Sequence, residues 1–329
     1  MTSSINIAVI GAGLAGLACA SALQQAGFNT QVFDKSRGPG GRMSTRRHFD
    51  ERGEGWQCDH GAQYFTARDA TFVAEVQRWQ QAGVAALWSP RIQVLGDGAP
   101  REPGPTARFV GTPRMTAPAQ WLAQSLNLAT NTTIRRLQRD GAHWRLLSAE
   151  RGQLETAFDA VLLAVPAPQA LALVEPHAAL LPPVRMRGSW AVILQFAAPV
   201  ALPFDAAFVN RGPLRWIARD SSKPGRDSGR EIWLLHAEAE WSESHLERPA
   251  DEVAALLLQA FAELGGPAPQ AWSTHRWRYA DTAPPLALGS IWAGDLALGL
   301  GGDWLGGGKV EGAWLSGRRL AAQVARHFA

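Results

Sequence analysis

Cysteine is nearly absent from this 329-residue sequence, and the two that occur, Cys19 and Cys58, cannot build a disulfide scaffold or a four-ligand zinc site. Lysine is almost as scarce, with Lys35, Lys223 and Lys309 standing against 29 arginines. The formal charge is only +3, and the short basic runs "STRRHFDER" and "SGRRLA" are mixed with acids or apolar residues, a pattern that does not suit a nucleic acid partner. No stretch approaches the roughly 18 uninterrupted apolar residues that a membrane span requires. The opening "MTSSINIAVIGAG" lacks the basic region of a signal peptide. Internal repeats and low-complexity segments are also missing. These absences predict a cytoplasmic protein with reduced thiols and with no metal, membrane or nucleic acid partner.

What remains is a globular composition, 46% hydrophobic and 19% charged, at a length that suits two domains. Fourteen tryptophans are a high count; many belong in a core, but aromatic surfaces also suit a flat ring ligand. Near the start, an apolar run from Ile5 to Ile10 leads into Gly11, Ala12, Gly13 and Gly16, then a helical pattern closed by Gly27, then "TQVFD" ending at Asp34. Strand, tight turn, helix, strand and acid at this spacing predict a dinucleotide site. Gly11 permits the turn, Gly13 lets backbone approach a pyrophosphate, and Gly16 lets helix and strand pack closely. The helix N-terminus would face the phosphates, and Asp34 would accept from a ribose while repelling a 2′-phosphate.

The continuation "DKSRGPGGRMST" departs from a simple nicotinamide dehydrogenase, which would proceed with further strand and helix units. Its glycines let a loop cross the cofactor and Arg42 can reach a phosphate. "CDHGAQYFTARD" then supplies Asp59, Gly61 and Gln63 in a loop able to run along an extended ligand. An amphipathic helix follows in "FVAEVQRWQQAG". Strands flank an Asp-Gly turn in "TTIRRLQRDGAHWRLL", and a buried strand spans Ala160 to Val165. Alternating runs such as "WAVILQF" and "EIWLLHAEAEW" predict a second sheet carrying helices. "PGRDSGRE", Pro224 to Glu231, reads as an exposed hairpin loop, Lys223 as part of a polar turn, and His236 as a core residue.

Near the other end, "LGLGGDWLGGGKVEGAWLSG" reads as strand, Asp303, glycine loop and final helix. The backbone N–H groups of Val310, Glu311 and Gly312 would point into whatever that loop surrounds, and their dipole favours negative charge there. The pyrimidine end of a flavin acquires such charge on reduction. Asp303 could hold a ribityl hydroxyl or sit near the pyrophosphate.

Together "AVIGAGLAGLACASAL", "FDKSRGPGGRMST", "DHGAQYFTARD" and "GGDWLGGGKVEGAWLSG" resemble the renalase-like branch of the FAD-dependent amine oxidase superfamily, over the whole chain. The resemblance implies an α/β fold, α+β overall: a Rossmann-like FAD-binding domain and a second domain of mixed sheet plus helices, like para-hydroxybenzoate hydroxylase. It places residues 1–70, 106–168 and 286–329 in the FAD domain, and 71–105 and 169–285 in the substrate domain. It implies noncovalent FAD held by Gly11, Ala12, Gly13, Gly16, Asp34, Lys35, Arg42, Asp59, Gly61, Ala62, Ile134, Asp303, Val310, Glu311 and Gly312, with Ile134 meeting adenine. Substrate contacts would come from Tyr64, Phe65, Thr66, Ala67, Arg68, Val110, Gly111, Ser189, Trp190 and Tyr279.

Enzymes of this branch oxidise 2- and 6-dihydro isomers of NAD(P), passing hydride to FAD and electrons to O2, which yields NAD(P)+ and hydrogen peroxide. A dihydropyridine nitrogen expels hydride unaided, so no strong base is demanded; His275 and Trp277 are candidates for the catalytic wall without an assigned role. Two alternatives stand beside this. One is amine oxidation, against which the sequence offers no lysine outside Lys35, Lys223 and Lys309 and no cysteine near the C-terminal loop. The other is a protein that binds FAD or a nucleotide without turnover.

Overall fold

The computed structural model describes residues 5–49, 55–97 and 106–329. Its first sheet has six strands in the order β18 (Ser290–Ala293), β19 (Leu298–Gly301), β12 (Ala160–Leu163), β1 (Asn6–Ile10), β2 (Asn29–Phe33) and β8 (Asn127–Ala129). All neighbours are parallel except β18 against β19. The inner strands are continuous apolar runs because helices or further strands cover both faces. Two helices lie together on one face, α1 (Leu14–Gln25) and the final α7 (Lys309–Phe328), so the two chain ends meet there. They touch at backbone distance: a side chain on Gly317 would overlap the Ala15 carbonyl and lie 3.1 Å from the Cys19 nitrogen.

The second sheet runs β17 (Ala271–Thr282), β13 (Met186–Phe196), β16 (Glu231–Ala237), β15 (Leu214–Arg219), β14 (Ala206–Val209) and β6 (Ile92–Leu95). Alternation along β13 sends Trp190, Val192 and Leu194 toward α6 (Ala250–Glu263) and sends Ala191 and Ile193 the other way. The latter face is covered by a hairpin, β3 (Thr45–Phe49) and β4 (Gly55–Asp59), whose Cys58 and Trp56 pack on Ala191, Ile193, Ile232 and Leu234. Smaller pieces complete the chain. They are the three-stranded β9 (Ile134–Asp140), β10 (His143–Ser148) and β11 (Gly152–Gln153), the pair β5 (Ala85–Trp88) with β7 (Arg108–Gly111), and the helices α2 (Ala70–Gln81), α3 (Ala117–Ala123), α4 (Ala167–Leu173) and α5 (Ala239–Ser244).

The sequence expectation of a Rossmann-like unit plus a sheet carrying helices matches this architecture. Helix α2, expected with the substrate domain, buries Phe72, Val76 and Trp79 in a core that takes in α1 and α7 and also Ala206, Trp216 and Ala218 of the second sheet, and Phe72 lies 5.5 Å from the Trp314 ring of α7. Further on, β6 does join the second sheet, parallel to β14, while residues 98–105 lie outside the described residues.

Because the α1 and α7 backbones leave no room at their crossing, Gly317→Val should destabilise the protein by about 2 kcal/mol or more. Denaturant unfolding should show a lower midpoint at unchanged slope.

Candidate flavin and substrate site

The turn after β1 is held by backbone. Gly11 has φ +108°, and a side chain there would meet the Ala164 carbonyl at 2.5 Å. The Ala12 N–H donates to Asp34 Oδ2 (2.6 Å) and the Ser36 N–H to Asp34 Oδ1 (2.7 Å), so the acid that ends β2 clamps the turn from which α1 springs. Beside it, the Thr132 N–H donates to the Asp34 carbonyl, and Ile134 shares a core with Phe33, which places the start of β9 at the end of β2. Lys35 is exposed.

Gly13 is different in kind from Gly11. Its φ of −73° is open to any residue, and a side chain built on it would meet nothing within 4 Å. The protein's own packing gives no reason for glycine there. The same open space surrounds Gly307 and Gly308, and with Lys309 they form three successive left-handed residues (φ +80°, +81° and +66°) leading into α7. A lysine in that region is strained by order 1 kcal/mol or more. Both helix N-termini lack a side-chain cap, leaving their first N–H groups free for an acceptor. Two bare helix starts, the first beside space that only the missing side chain of Gly13 keeps clear, fit a dinucleotide with a flavin at its other end.

Gly40 donates to the Ala12 carbonyl (2.9 Å), and a side chain on Gly41 would lie 3.2 Å from Gly13 Cα, so the glycine loop does cross the start of α1. Arg42 and Asp303, each expected separately on the cofactor, form a two-pronged ion pair with each other, and Arg42 also donates to the Ala280 carbonyl at 3.2 Å. The Arg42 carbonyl accepts from the Ala62 N–H (2.9 Å), and Gly61 has no room for a side chain between that carbonyl and the Trp277 ring. Gly312 crosses Gly306 at backbone distance, and Val310 packs on the first core. The Glu311 carboxylate accepts from the Arg68 and Asp69 N–H groups (2.6 and 2.7 Å), tying α7 to the start of α2.

Past Asp59, the loop 59–63 is held by the second sheet. The His60 carbonyl accepts from Trp277 Nε1 (2.9 Å) on β17 and from His236 Nε2 (3.0 Å) on β16. The His60 ring lies nearly parallel to Trp277 at 5.0 Å, and the His275 ring stands edge-on to both at 4.5 and 4.4 Å. Arg46 Nη1 faces His275 Nδ1 at 3.1 Å; arginine can only donate, so that nitrogen is bare and His275 carries its proton on Nε2. Burial, together with the neighbouring Arg46 charge and the other imidazoles, lowers the His60 pKa to about 3. Burial, then Arg46, lowers His275 to about 4, and His236 falls likewise to about 4 by burial. All three imidazoles are neutral at pH 7.

Beneath the loop lies a charge cluster that the sequence did not announce. Asp59 is fully buried and accepts from Lys223 Nζ (3.3 Å), Arg226 Nη2, Thr45 Oγ1 (2.6 Å) and the Met115 N–H (3.0 Å). Burial raises its pKa, but Lys223 and Arg226 with these hydrogen bonds hold it below the ordinary value. Lys223 also reaches Asp220 (2.7 Å) and Gln63 Oε1 (3.3 Å), and burial pushes Asp220 upward. Three expectations are corrected here. Asp59 faces this cluster rather than an open cofactor groove, Lys223 is buried rather than in a polar turn, and Arg226 has a side chain only 3% exposed although Gly225 and Asp227 to Gly229 of its loop are exposed as expected. Local composition looked solvated because the compensating charges come from distant segments.

The proposed substrate wall is mixed. Tyr64 lies 5.6 Å from the Trp216 ring and 6.4 Å from Trp88, with the Arg108 guanidinium 5.3 Å above it. Thr66 and Ala67 are half-buried and Arg68 exposed. Phe65 is 4% exposed and lies 5.8–6.3 Å from the rings of Phe72, Trp79 and Phe109, and Val110 is fully buried; both are core rather than wall. Gly111 is enclosed by the Arg114 and Met115 carbonyls and accepts from Arg226. Ser189 sits opposite Trp277 in the sheet register, but Trp190, one residue on, points to the α6 side and donates to the His245 carbonyl at 3.1 Å, so it is also a correction. Tyr279 is half-buried two residues beyond Trp277. His60, Arg46, Asp220 and Arg226 were missed; the three-residue spacing of Asp220, Lys223 and Arg226 was the one available signal.

Residues 104–325 match the flavin containing amine oxidoreductase family, and residues 9–76 match an NAD(P)-binding Rossmann-like domain. The chain belongs to the flavin-containing amine oxidoreductase family. Curated relatives include a zeta-carotene-forming phytoene desaturase from Myxococcus xanthus, 54% identical over 43 residues. Another is a tRNA 5-methylaminomethyl-2-thiouridine biosynthesis bifunctional protein from Magnetococcus marinus, 30% identical over 202 residues. The matches span 13% and 48% of this chain but only 8% and 29% of those proteins. Similar solved structures include one assigned as a protoporphyrinogen oxidase from an Exiguobacterium species (TM-score 0.77, 11% identity, 99% of this chain and 100% of that one). Cyclohexylamine oxidase from Brevibacterium oxydans is similar over the same shares, with TM-score 0.72 and 13% identity. At these identities the likeness is one of fold. Among the described residues no helix is long and apolar enough to cross a membrane, and no group of three or more His, Cys, Asp or Glu could hold a metal ion.

Gly13→Val should leave the melting temperature of the flavin-free protein within about 2 °C of wild type while abolishing the yellow colour of the purified protein, because only a bound molecule fills that space. The histidine wall predicts acid sensitivity. Imidazoles whose folded pKa lies below the unfolded 6.5 favour the unfolded chain as it protonates, so stability should fall as pH drops from about 6.5 toward 4. His275→Gln should flatten that decline in melting temperature.

Proposed function

We propose that the protein oxidises dihydronicotinamide dinucleotides reduced at the 2 or 6 ring position, with O2 as electron acceptor and hydrogen peroxide as product. FAD, held noncovalently, supplies the hydride-accepting ring. Gly13 and the α1 N-terminus would take its pyrophosphate, Asp34 its ribose, and the α7 N-terminus its pyrimidine end. The loop 59–63 with Trp277 would flank its reactive ring, and Arg42 and Asp303 would brace the cradle between these ends.

The observation that carries the substrate reading is the state of the charges at this wall. His60, His236 and His275 are neutral, and Asp59 and Asp220 are each engaged by buried cations. Among the described residues of the wall and the cluster beneath it, no unpaired carboxylate faces the loop to hold an ammonium, and the unpaired imidazole nitrogen of His60, Nδ1, belongs to a ring with its pKa held at about 3, too weakly basic to take a proton at neutral pH. A dihydropyridine needs neither, since its ring nitrogen drives hydride out once the ring is stacked and water excluded. Both thiols are unsuited to bonding the cofactor: Cys19 and Cys58 are buried, with Cys19 pushed up to about 12 by burial.

One observation favours the alternative of amine oxidation. Lys223 is buried beside the loop, where a lysine could serve a flavin through a water. Its three N–H donors, however, are spent on Asp220, Asp59 and Gln63 at 2.7, 3.3 and 3.3 Å.

The test is anaerobic mixing of the yellow protein with 2- or 6-dihydro-NAD or dihydro-NADP. Bleaching within the mixing time, followed by recolouring and one peroxide per substrate on admitting air, is expected. Bleaching by primary or secondary amines alone would establish the alternative, and no bleaching by either class would leave a flavin-binding protein without this chemistry.

A further inference from the structure

The four buried charges around Asp59 take no part in the chemistry above, yet they sit directly under the loop that would flank the flavin ring. Lys223 can only donate, so the Gln63 side chain must turn its Oε1 toward it. That choice leaves both Gln63 N–H groups for the loop's own carbonyls, Asp59 O at 2.5 Å and Gly61 O at 3.2 Å. The lysine thus orients an amide that staples the two carbonyls between which His60 lies. Opposite pulls complete the hold, because the His60 carbonyl is drawn by Trp277 and His236 and the Ala62 N–H by Arg42. We propose that Lys223 is a positioning residue that acts through Gln63 to fix the backbone of loop 59–63 against the flavin.

This inference rests on the reading that loop 59–63 lines the flavin, and not on the identity of the substrate. A buried ion cluster adds little net stability compared with apolar residues of the same volume, so stability alone is a weak reason to keep four charges here. The geometry supplies another. Asp220 and Arg226 neutralise the lysine and Asp59, and Arg226 extends the hold to the Gly111 carbonyl at 2.7 Å.

Lys223→Met alone leaves an uncompensated buried acid and is expected to fold poorly. The informative variants of the flavin-loaded protein are therefore Lys223→Met/Asp220→Asn, which keeps the Asp59–Arg226 pair, and Gln63→Leu, which leaves every charge in place. Each should fold with a melting temperature within a few degrees of wild type. Hydrogen exchange of peptides covering residues 59–63 should be at least ten times faster in each. The visible flavin spectrum should shift, and the dissociation constant for FAD should rise at least tenfold. Wild-type exchange rates in the folded Gln63→Leu protein overturn the proposal, whether or not the double variant folds. Faster exchange with unchanged flavin spectrum and affinity would show that the lysine holds the loop but that the loop does not line the flavin, which overturns the placement of the site instead.

Discussion

A carboxylate with no access to water governs how this molecule is joined. Asp59 ends a strand of the hairpin β3–β4, and its two oxygens collect donors from Thr45 on that hairpin, from the backbone of Met115 ahead of α3, and from Lys223 and Arg226 in the connection between β15 and β16. Separations of 56 to 167 residues along the chain are closed on one group. A buried charge of this kind is tolerated only when it is balanced, since removing one partner by itself leaves its opposite desolvated without compensation. The cluster therefore stands as balanced pairs, and the loop from Asp59 to Gln63 is held against them. The protonation order agrees with the geometry: Asp59, between two cations, stays ionised, while Asp220, which among the described residues has only Lys223 at salt-bridge distance, is pushed upward by burial and takes a proton first.

Glycines divide along the same line between what the fold needs and what something outside the polypeptide needs. Gly11, Gly16 and Gly317 are explained from inside, because at each a side chain would run into neighbouring backbone. Gly307 and Gly308 are explained by their backbone, because at φ +80° and +81° a side chain is strained even in open space. Gly13 has neither reason, with φ −73° and open space where a side chain would go, so at the bare start of α1 the glycine keeps room that the fold itself does not use.

The parts of this architecture that were legible in the sequence are those whose cause is local. The strand, turn, helix and acid from Ile5 to Asp34 are specified within thirty residues by apolar runs and glycines, and the final helix by its face of Trp314, Leu320 and Val324. Trp190 was misread although the remedy was local too: adjacent residues on a strand cannot face the same way, so Ser189 and Trp190 could never have lined one pocket. Lys223 and Arg226 were not recoverable in this way. "DSSKPGR" has the composition of a solvated turn, and its burial follows from an aspartate 164 residues from the lysine. Likewise the pairing of Arg42 with Asp303 spans 261 residues and no short motif encodes it.

The chemistry at the wall follows from how the charges were disposed of. With Asp59, Asp220, Lys223 and Arg226 gathered in a cluster beneath the loop, the wall itself is made of neutral rings flanked by Arg46, with His60 and Trp277 nearly parallel and His275 edge-on. Arg46 enforces this neutrality in two ways, by repelling a second positive charge on His275 and by fixing its tautomer through Nδ1. Such a surface offers stacking and a few fixed donors, and it offers no proton acceptor whose pKa lies near the working pH. Under the proposed function it would serve a substrate that is already electron-rich and flat rather than one that must first be held as a cation and deprotonated.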